Sequence, residues 1–179
     1  MKKIKRLLRF EWPLHFVLVL TNWLPDNVFF LKLRGKLASP FFGSCGKNLE
    51  LARNILIHNP INIHLGNDVF FAFGCLIMAT DKIIIHDQVM FGPYCVIISG
   101  NHTRARGSFR FGEPYLSPIE IMQGCWLGSH VVVTAGSKIG EGSLIAAGAV
   151  VAGQIDSNVL AGGVPARIIK SIEDEEKNY

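Results

Sequence analysis

Residues 119–155 read "IEIMQGCWLGSHVVVTAGSKIGEGSLIAAGAVVAGQI". A large aliphatic side chain recurs at every sixth position: Ile121, Leu127, Val133, Ile139, Ile145 and Val151. Four residues after each stands a small or β-branched one: Cys125, Val131, Ser137, Ser143, Ala149 and Ile155. This period matches neither the 3.6 of an amphipathic helix nor the simple alternation of a strand. It is the pattern of a parallel β-helix, in which each hexad supplies one short strand and one corner. Three hexads close a triangular coil, and coils stack at the strand spacing of about 4.8 Å.

The same frame runs upstream through Leu65, Phe71 and Ile77, and a two-residue insertion shifts it to Ile85, Phe91 and Ile97. Its small companions there are Val69, Cys75, Val89 and Cys95. The pattern predicts coils at 65–82, 85–102, 121–138 and 139–156, with a less regular one, "KNLELARNILIHNPINIH", before them. The expected fold is therefore all-β, a parallel β-helix of about five coils. Each coil buries its faces only against its neighbours, so both ends need covers. Residues 1–45 form an N-terminal apolar and basic helical extension, 46–166 the hexad body with a protruding loop at 103–118, and 167–179 a short C-terminal helix and tail.

A chain of 179 residues with 49% hydrophobic and 18% charged residues is one domain with a real core, which excludes a disordered chain. The net charge of +4 is unevenly placed: Lys2, Lys3, Lys5, Arg6 and Arg9 crowd the start, and Glu173, Asp174, Glu175 and Glu176 the end. Basic residues confined to one terminus argue against nucleic-acid binding. No glycine-rich phosphate loop or nucleophile elbow is present. The four cysteines form no C-x-x-C pair, three of them occupy the small inward slot, and a reducing, cytoplasmic setting is expected. The apolar run Pro13–Leu20 is shorter than the roughly 20 residues that span a bilayer, and "TNWLPDN" after it is a poor cleavage site for a signal peptide. Basic residues followed by Trp12, Phe16, Leu18, Leu20 and Trp23 fit a segment lying in an anionic membrane interface, with contact through residues 1–24. The competing reading packs this segment on the body or on a partner subunit.

One stretch breaks the period: "SGNHTRARGSFRFGEPYLSP", residues 99–118. The hexads, the two-residue insertion, the excursion after Asn101–His102 and the ending "NVLAGGVPARIIK" together resemble the hexapeptide-repeat acyltransferases, nearest to galactoside, maltose and polysaccharide O-acetyltransferases. The likeness covers residues 46–171. It implies a left-handed coil, an exception to the right-handed crossover rule, and a homotrimer with each active site between two subunits. It also implies acetyl-CoA as co-substrate along the C-terminal coils, and no metal. The extension "NWLPDNVFFLKLRGKLASPFFGSCGKN" resembles that of polysaccharide and lipopolysaccharide O-acetyltransferases, which work at the cytoplasmic membrane face on lipid-linked sugars or their precursors.

The resemblance assigns roles residue by residue. His102 falls where the family carries its general base, and an imidazole suits removal of a sugar hydroxyl's proton near neutral pH. Ser129 matches a position beside the thioester carbonyl, where an N–H or hydroxyl stabilises the developing oxyanion. Trp126 matches an aromatic beside the acetyl-CoA or acceptor pocket, and Ala147 and Gly148 match small residues that admit the pantetheine arm. Arg167 and Lys170 match cations near the nucleotide phosphates. Phe73, Tyr94, Asn101 and Arg104 are placed on the acceptor side by location alone. The family's usual Thr-Lys pair is here Ala152–Gly153, so one cofactor contact is missing or moved. Two other readings stay open: a sugar N-acetyltransferase on the same scaffold, and a non-catalytic β-helix. A zinc-dependent carbonic anhydrase on this coil would need converging histidines, whereas His64, His86, His102 and His130 take four different places in the hexad frame.

Overall fold

The inward positions of the hexads, Ile121 through Val151 and their upstream counterparts, are all buried in a single core. The fold they produce, in a computed structural model that describes residues 2–173, is a left-handed parallel β-helix. Its first face stacks strands Ser44–Cys45, Ile63–Leu65, Ile83–Ile85, Ile119–Ile121, Lys138–Ile139 and Gln154–Ile155. The second stacks Glu50–Leu51, Phe70–Phe71, Met90–Phe91, Trp126–Leu127, Leu144–Ile145 and Val159–Gly163. The third stacks Leu56–His58, Leu76–Met78, Val96–Ile98, Val132–Val133 and Val150–Val151. The helix thus has nearly six coils rather than about five, and it begins at Ser44, which pairs with His64.

Register is strict. Ile57 lies beside Ile77 and Ile77 beside Ile97, so these coils take 20 residues, while Glu120 opposite Lys138 marks an 18-residue coil. The difference arises at one corner, between the third face and the first. The two-residue insertion expected once occurs there twice, between Ile57 and Leu65 and again between Ile77 and Ile85. The 99–118 excursion leaves from the same corner one coil later.

Inside, like sits on like. Phe71 and Phe91 stack with centroids 4.5 Å apart and planes 6° from parallel. The small inward slot also carries hydrogen bonds to carbonyls of the following coil. Cys75 donates to the Gly92 carbonyl at 3.4 Å, Cys95 to Gly128 at 3.2 Å, Cys125 to Gly140 at 3.0 Å and Ser143 to Asp156 at 2.7 Å. Burial raises the Cys125 thiol above its ordinary range and pushes Cys45 up to about 11, so these thiols are poor nucleophiles.

Three helices close the N-terminal end: α1 (Lys2–Arg6), α2 (Trp12–Thr21) and α3 (Val28–Ala38), with a wide π-type turn at Leu7–Glu11 joining the first two. Asn27 caps α3 by accepting from the Phe30 N–H at 3.1 Å. Leu14 and Ala38 reach the core beside Leu49, Leu51 and Ile55. A Cβ on Gly35 would lie 1.7 Å from the Leu49 carbonyl oxygen, so only glycine lets α3 lie this close to the first coil. The pin is Arg34, 1% exposed, which donates to the carbonyls of Thr21, Leu24, Leu51 and Pro25 and pairs with Asp26 at 3.1 Å.

The C-terminal end corrects an expectation. Residues 166–171 form a strand antiparallel to Val159–Gly163, not a helix. Ile168 and Ile169 are β-branched and suit a strand, and the last coil leaves a row of backbone groups that a returning strand satisfies. The remainder of the expected C-terminal helix, 174–179, lies outside the described residues. No helix among the described residues is long and apolar enough to cross a membrane.

Replacing Arg34 with alanine removes the donor to the carbonyls of Thr21, Leu24, Pro25 and Leu51 and leaves Asp26 with Arg53 alone. The expected cost is about 3–5 kcal/mol, measured by denaturant unfolding, with hydrogen exchange rising first in α2 and α3.

Candidate active site

The excursion opens as a two-stranded hairpin, Gly100–His102 against Pro114–Leu116, with His102 opposite Pro114. Its base is fixed by Ser99, which is fully buried. The Ser99 hydroxyl donates to the Asp81 carbonyl at 2.7 Å and accepts from the Asp81 N–H at 2.9 Å. One coil below, Asn62 donates to the carbonyls of Ala79 and Thr80 at 2.8 and 3.2 Å. The repeated insertions at this corner therefore form a hydrogen-bonded shelf under the hairpin. Gly100 lies flat on it, since an added Cβ would meet Thr80 at 3.1 Å. Across the hairpin, the Thr103 hydroxyl donates to the Glu113 carbonyl.

His102 is exposed on this wall and borders a cleft of about 460 Å³. Asn101 lies beside it, Pro114 and Leu116 of the paired strand belong to the same wall, and Met78, Ile98, Val132 and Thr134 form the floor. The cleft is mostly apolar with a few polar groups, the composition of a small-molecule site. The floor residues point outward from the third face, a set that hexad counting passes over because the period reports only inward positions.

The other expected site residues gather elsewhere. Trp126 stands half-exposed on the second face between Met90 and Leu144. Ser129 follows at the corner between the second and third faces, with Ala147 and Gly148 one coil on. Glycines press the coils together there: a Cβ on Gly92 would sit 2.7 Å from the Ser129 nitrogen, and one on Gly128 2.7 Å from the Ala147 nitrogen. Among the described residues, neither the Ser129 nor the Ala147 N–H makes a hydrogen bond within the chain. Gly148 takes a φ of +73° with open space around it, so its glycine answers to backbone conformation and surface access. Arg167 and Lys170 are exposed on the C-terminal strand, opposite Gly162 and Leu160.

Phe73 and Tyr94 belong to this second group and do not border the His102 cleft. They meet edge to face at 5.5 Å, and Tyr94 stacks on His130 at 5.2 Å. Tyr94 holds a φ of +60°, a strained setting for a bulky residue, and its ring occupies the space a Gly74 side chain would need. Arg104 is exposed beyond the hairpin and also stands outside the cleft.

The histidines are dispersed. His64 bonds Ser44 at 2.9 Å, His86 bonds Glu120 at 3.1 Å, and His130 is stacked on Tyr94. Among the described residues no three His, Cys, Asp or Glu side chains converge as metal ligands. Glu120, bonded to Lys138 at 2.8 Å and to His86, is held below the usual carboxylate range by those two partners in that order.

A family model for bacterial transferase hexapeptide repeats matches residues 118–153. The galactoside O-acetyltransferase of Escherichia coli (strain K12) is 34% identical over 146 residues, which is 82% of this chain and 72% of that protein. A galactoside acetyltransferase solved in complex with coenzyme A superposes with a TM-score of 0.82 at 31% identity, covering 98% of this chain and 84% of that one. An Escherichia coli (strain K12) protein named for an O-acetyl transferase role in lipopolysaccharide biosynthesis is 32% identical over 114 residues, 56% of each chain.

Two predictions follow from this geometry. Ser99→Ala removes both bonds at the hairpin base and is expected to cost about 1–3 kcal/mol, with faster hydrogen exchange from Gly100 to Leu116. Glu120 has a depressed folded pKa, so its contribution is complete above the unfolded carboxylate value and is lost as pH falls through the folded one. Glu120→Gln should therefore lower stability by about 0.5–1 kcal/mol at pH 7, a value already discounted for solvent screening. That gap should begin to narrow as pH falls below the unfolded carboxylate value of about 4.3, as followed by thermal unfolding across pH.

Proposed function

The chain belongs to the hexapeptide-repeat acyltransferases, and on that premise we propose that it transfers the acetyl group of acetyl-CoA to a hydroxyl of a sugar used in surface polysaccharide or lipopolysaccharide synthesis. The observation that carries this reading is the split site. A solvent-exposed imidazole stands on a hairpin wall over an apolar floor. A separate edge of the prism presents unpaired amide donors, an aromatic and, further along, two cations.

In this reading His102 takes the proton of the acceptor hydroxyl as its oxygen attacks the thioester carbonyl carbon. The Ser129 N–H or hydroxyl receives the negative charge that builds on the carbonyl oxygen. When the C–S bond breaks, the imidazolium returns its proton to the departing thiolate. Transfer is direct within a ternary complex, and no acyl-enzyme is involved. Fit to the co-substrate rests on the chain's own features. The Ala147 N–H and bare Gly148 suit an amide-bearing arm, Trp126 offers a flat face beside it, and Arg167 and Lys170 suit phosphates. Asn101 lies with His102 on the acceptor side, and Phe73, Tyr94 and Arg104 are assigned there more remotely.

The two halves lie on different parts of one chain, which favours a homotrimer whose clefts form between neighbours. Outward residues of the third face support this, since Leu56, Leu76, Val96, Val132 and Val150 form an apolar ladder where a solvated sheet would be polar. A cytoplasmic enzyme in peripheral contact with the membrane's inner face through residues 1–24 completes the reading. A sugar N-acetyltransferase would use the same base and co-substrate, and mild alkali separates the two because it cleaves ester products and spares amides.

His102→Ala should bind acetyl-CoA as the wild type does, by calorimetry, while the transfer rate falls by roughly 10²–10⁴-fold. An active alanine variant would exclude His102 as the base. A folded wild-type protein that binds no acetyl-CoA would favour a non-catalytic scaffold.

A further inference from the structure

Beyond His102 the excursion builds a second, smaller hairpin. Ala105 and Ser108 exchange N–H to carbonyl bonds, 2.9 Å in each direction. Arg106 and Gly107 between them take φ of +51° and +79°, the pair of positive angles found in the two-residue turns that match strand twist. The Arg110 N–H donates to the Ser108 hydroxyl at 3.1 Å. Lower on the return limb, Gly112 lies against the outgoing one, where a Cβ would collide with the Thr103 carbonyl oxygen. Residues 103–112 are therefore a shaped arm with its own bonds and close contacts.

This arm carries charge that the chain leaves unanswered. It holds Arg104, Arg106 and Arg110 and no acid. All three are exposed, and among the described residues none of them joins an ion pair, Glu113 at the arm's base included. Phe109 and Phe111 flank Arg110 and are 61% and 71% exposed. In the proposed homotrimer, the surfaces bordering the arm are the third face and a neighbour's edge at Ser129. The outward side chains of the third-face strands include no carboxylate. Along the edge, the corner triplets 52–54, 72–74, 92–94, 128–130 and 146–148 contain a single charged residue, Arg53, which Asp26 already holds at 3.2 Å. Neither surface answers the arginines. The phosphates of acetyl-CoA are assigned to Arg167 and Lys170, so the missing anion falls to the acceptor.

We propose that residues 103–112 form an anion subsite, and that the acceptor bears its negative charge on the unit next to the sugar that is acetylated. This deepens the transferase reading and rests on it. Four residues of chain separate His102 from Arg106, a reach of up to about 14 Å, and Pro114 from Arg110 across the hairpin the same. The cations thus range over whatever is attached to the ring at His102. A guanidinium grips paired oxygens, which the carboxylate of an acidic sugar and the diphosphate of an activated one both present. Phe109 and Phe111 offer flat apolar faces to the ring that carries them.

The test is calorimetric titration of the full chain, with and without coenzyme A, using three probes: trigalacturonate, uridine diphosphate galactose and neutral galactotriose. At least one charged probe should bind about tenfold or more tightly than the neutral one, with the advantage shrinking as salt is added. Whichever charged probe is preferred identifies carboxylate or diphosphate as the source. The triple variant Arg104→Gln, Arg106→Gln, Arg110→Gln should lose the preference while keeping the wild-type acetyl-CoA affinity and oligomeric state. If it does not fold, Arg106→Gln and Arg110→Gln serve singly, each reducing the preference about threefold. Equal binding of charged and neutral probes overturns the proposal, as does binding of none, or a preference that survives the substitutions. Weaker acetyl-CoA binding by the variant would hand the arginines to the co-substrate, and a changed oligomeric state would hand them to a subunit contact; either result also overturns it. An arginine-dependent preference in a wild type that binds no acetyl-CoA would refute the transferase reading and leave the anion subsite in place.

Discussion

Every other feature of this protein answers to one constraint: side chains inside the coil must stack in register, layer on layer. A β-helix has no second sheet or helix layer to fill its interior, so each inward residue packs on its own counterpart a strand spacing away. The three columns, through Ile85 and Ile121, through Phe71 and Phe91, and through Ile77 and Ile97, are the core. A slip of one residue would turn a column outward and expose it. The three small companions that are thiols, Cys75, Cys95 and Cys125, satisfy the same constraint with the added gain of a bond to a carbonyl of the coil above.

That constraint decides where the chain can carry chemistry. An insertion within a strand shifts register for every layer above it, while an insertion at a corner can be looped out. This protein uses one corner for all its extra length. Two coils place two additional residues there, and the third places the hairpin of His102 on the shelf they make. The buried hydroxyl of Ser99, bonded to Asp81 on both its donor and acceptor sides, joins the regular interior to the irregular arm. The catalytic reading of His102 thus draws on the rigidity of a stack two coils deep, even though the residue itself is exposed.

How far the sequence disclosed this varies with what periodicity encodes. Ile121, Leu127 and Val133 announced their burial because burial is what sets the period. The C-terminal "RIIK" carried no comparable signal over so short a run, and only the open edge of the last coil decides that it returns as a strand. Arg34, within "FFLKLRGKLA", reads as one basic residue among several on a solvated helix. Its burial depends on the helix lying across the first coil, where carbonyls of Thr21, Leu24 and Pro25, at and after the end of α2, converge with that of Leu51. The pairing of Tyr94 with His130 likewise spans the excursion and is invisible until the coils are stacked. The floor of the His102 cleft was missed for a related reason: Met78, Ile98 and Val132 point outward, and outward positions owe nothing to the repeat.

A convex prism also limits what one chain can do alone. Proton transfer from a sugar hydroxyl and attack on a thioester both gain from exclusion of water, which strengthens each electrostatic contact at the reacting atoms. A triangular prism has three nearly flat faces and no concavity, so a single coil cannot bury a substrate. The hairpin supplies one wall by standing off the corner, and the apolar outer ladder of the third face supplies a floor. In the proposed homotrimer the opposite wall is a neighbour's surface, with the amide donors at Ser129 and Ala147 on an edge repeated in each copy. In a fold extended by repetition the interior is filled, so the proposed homotrimer places the chemistry in the gaps between prisms.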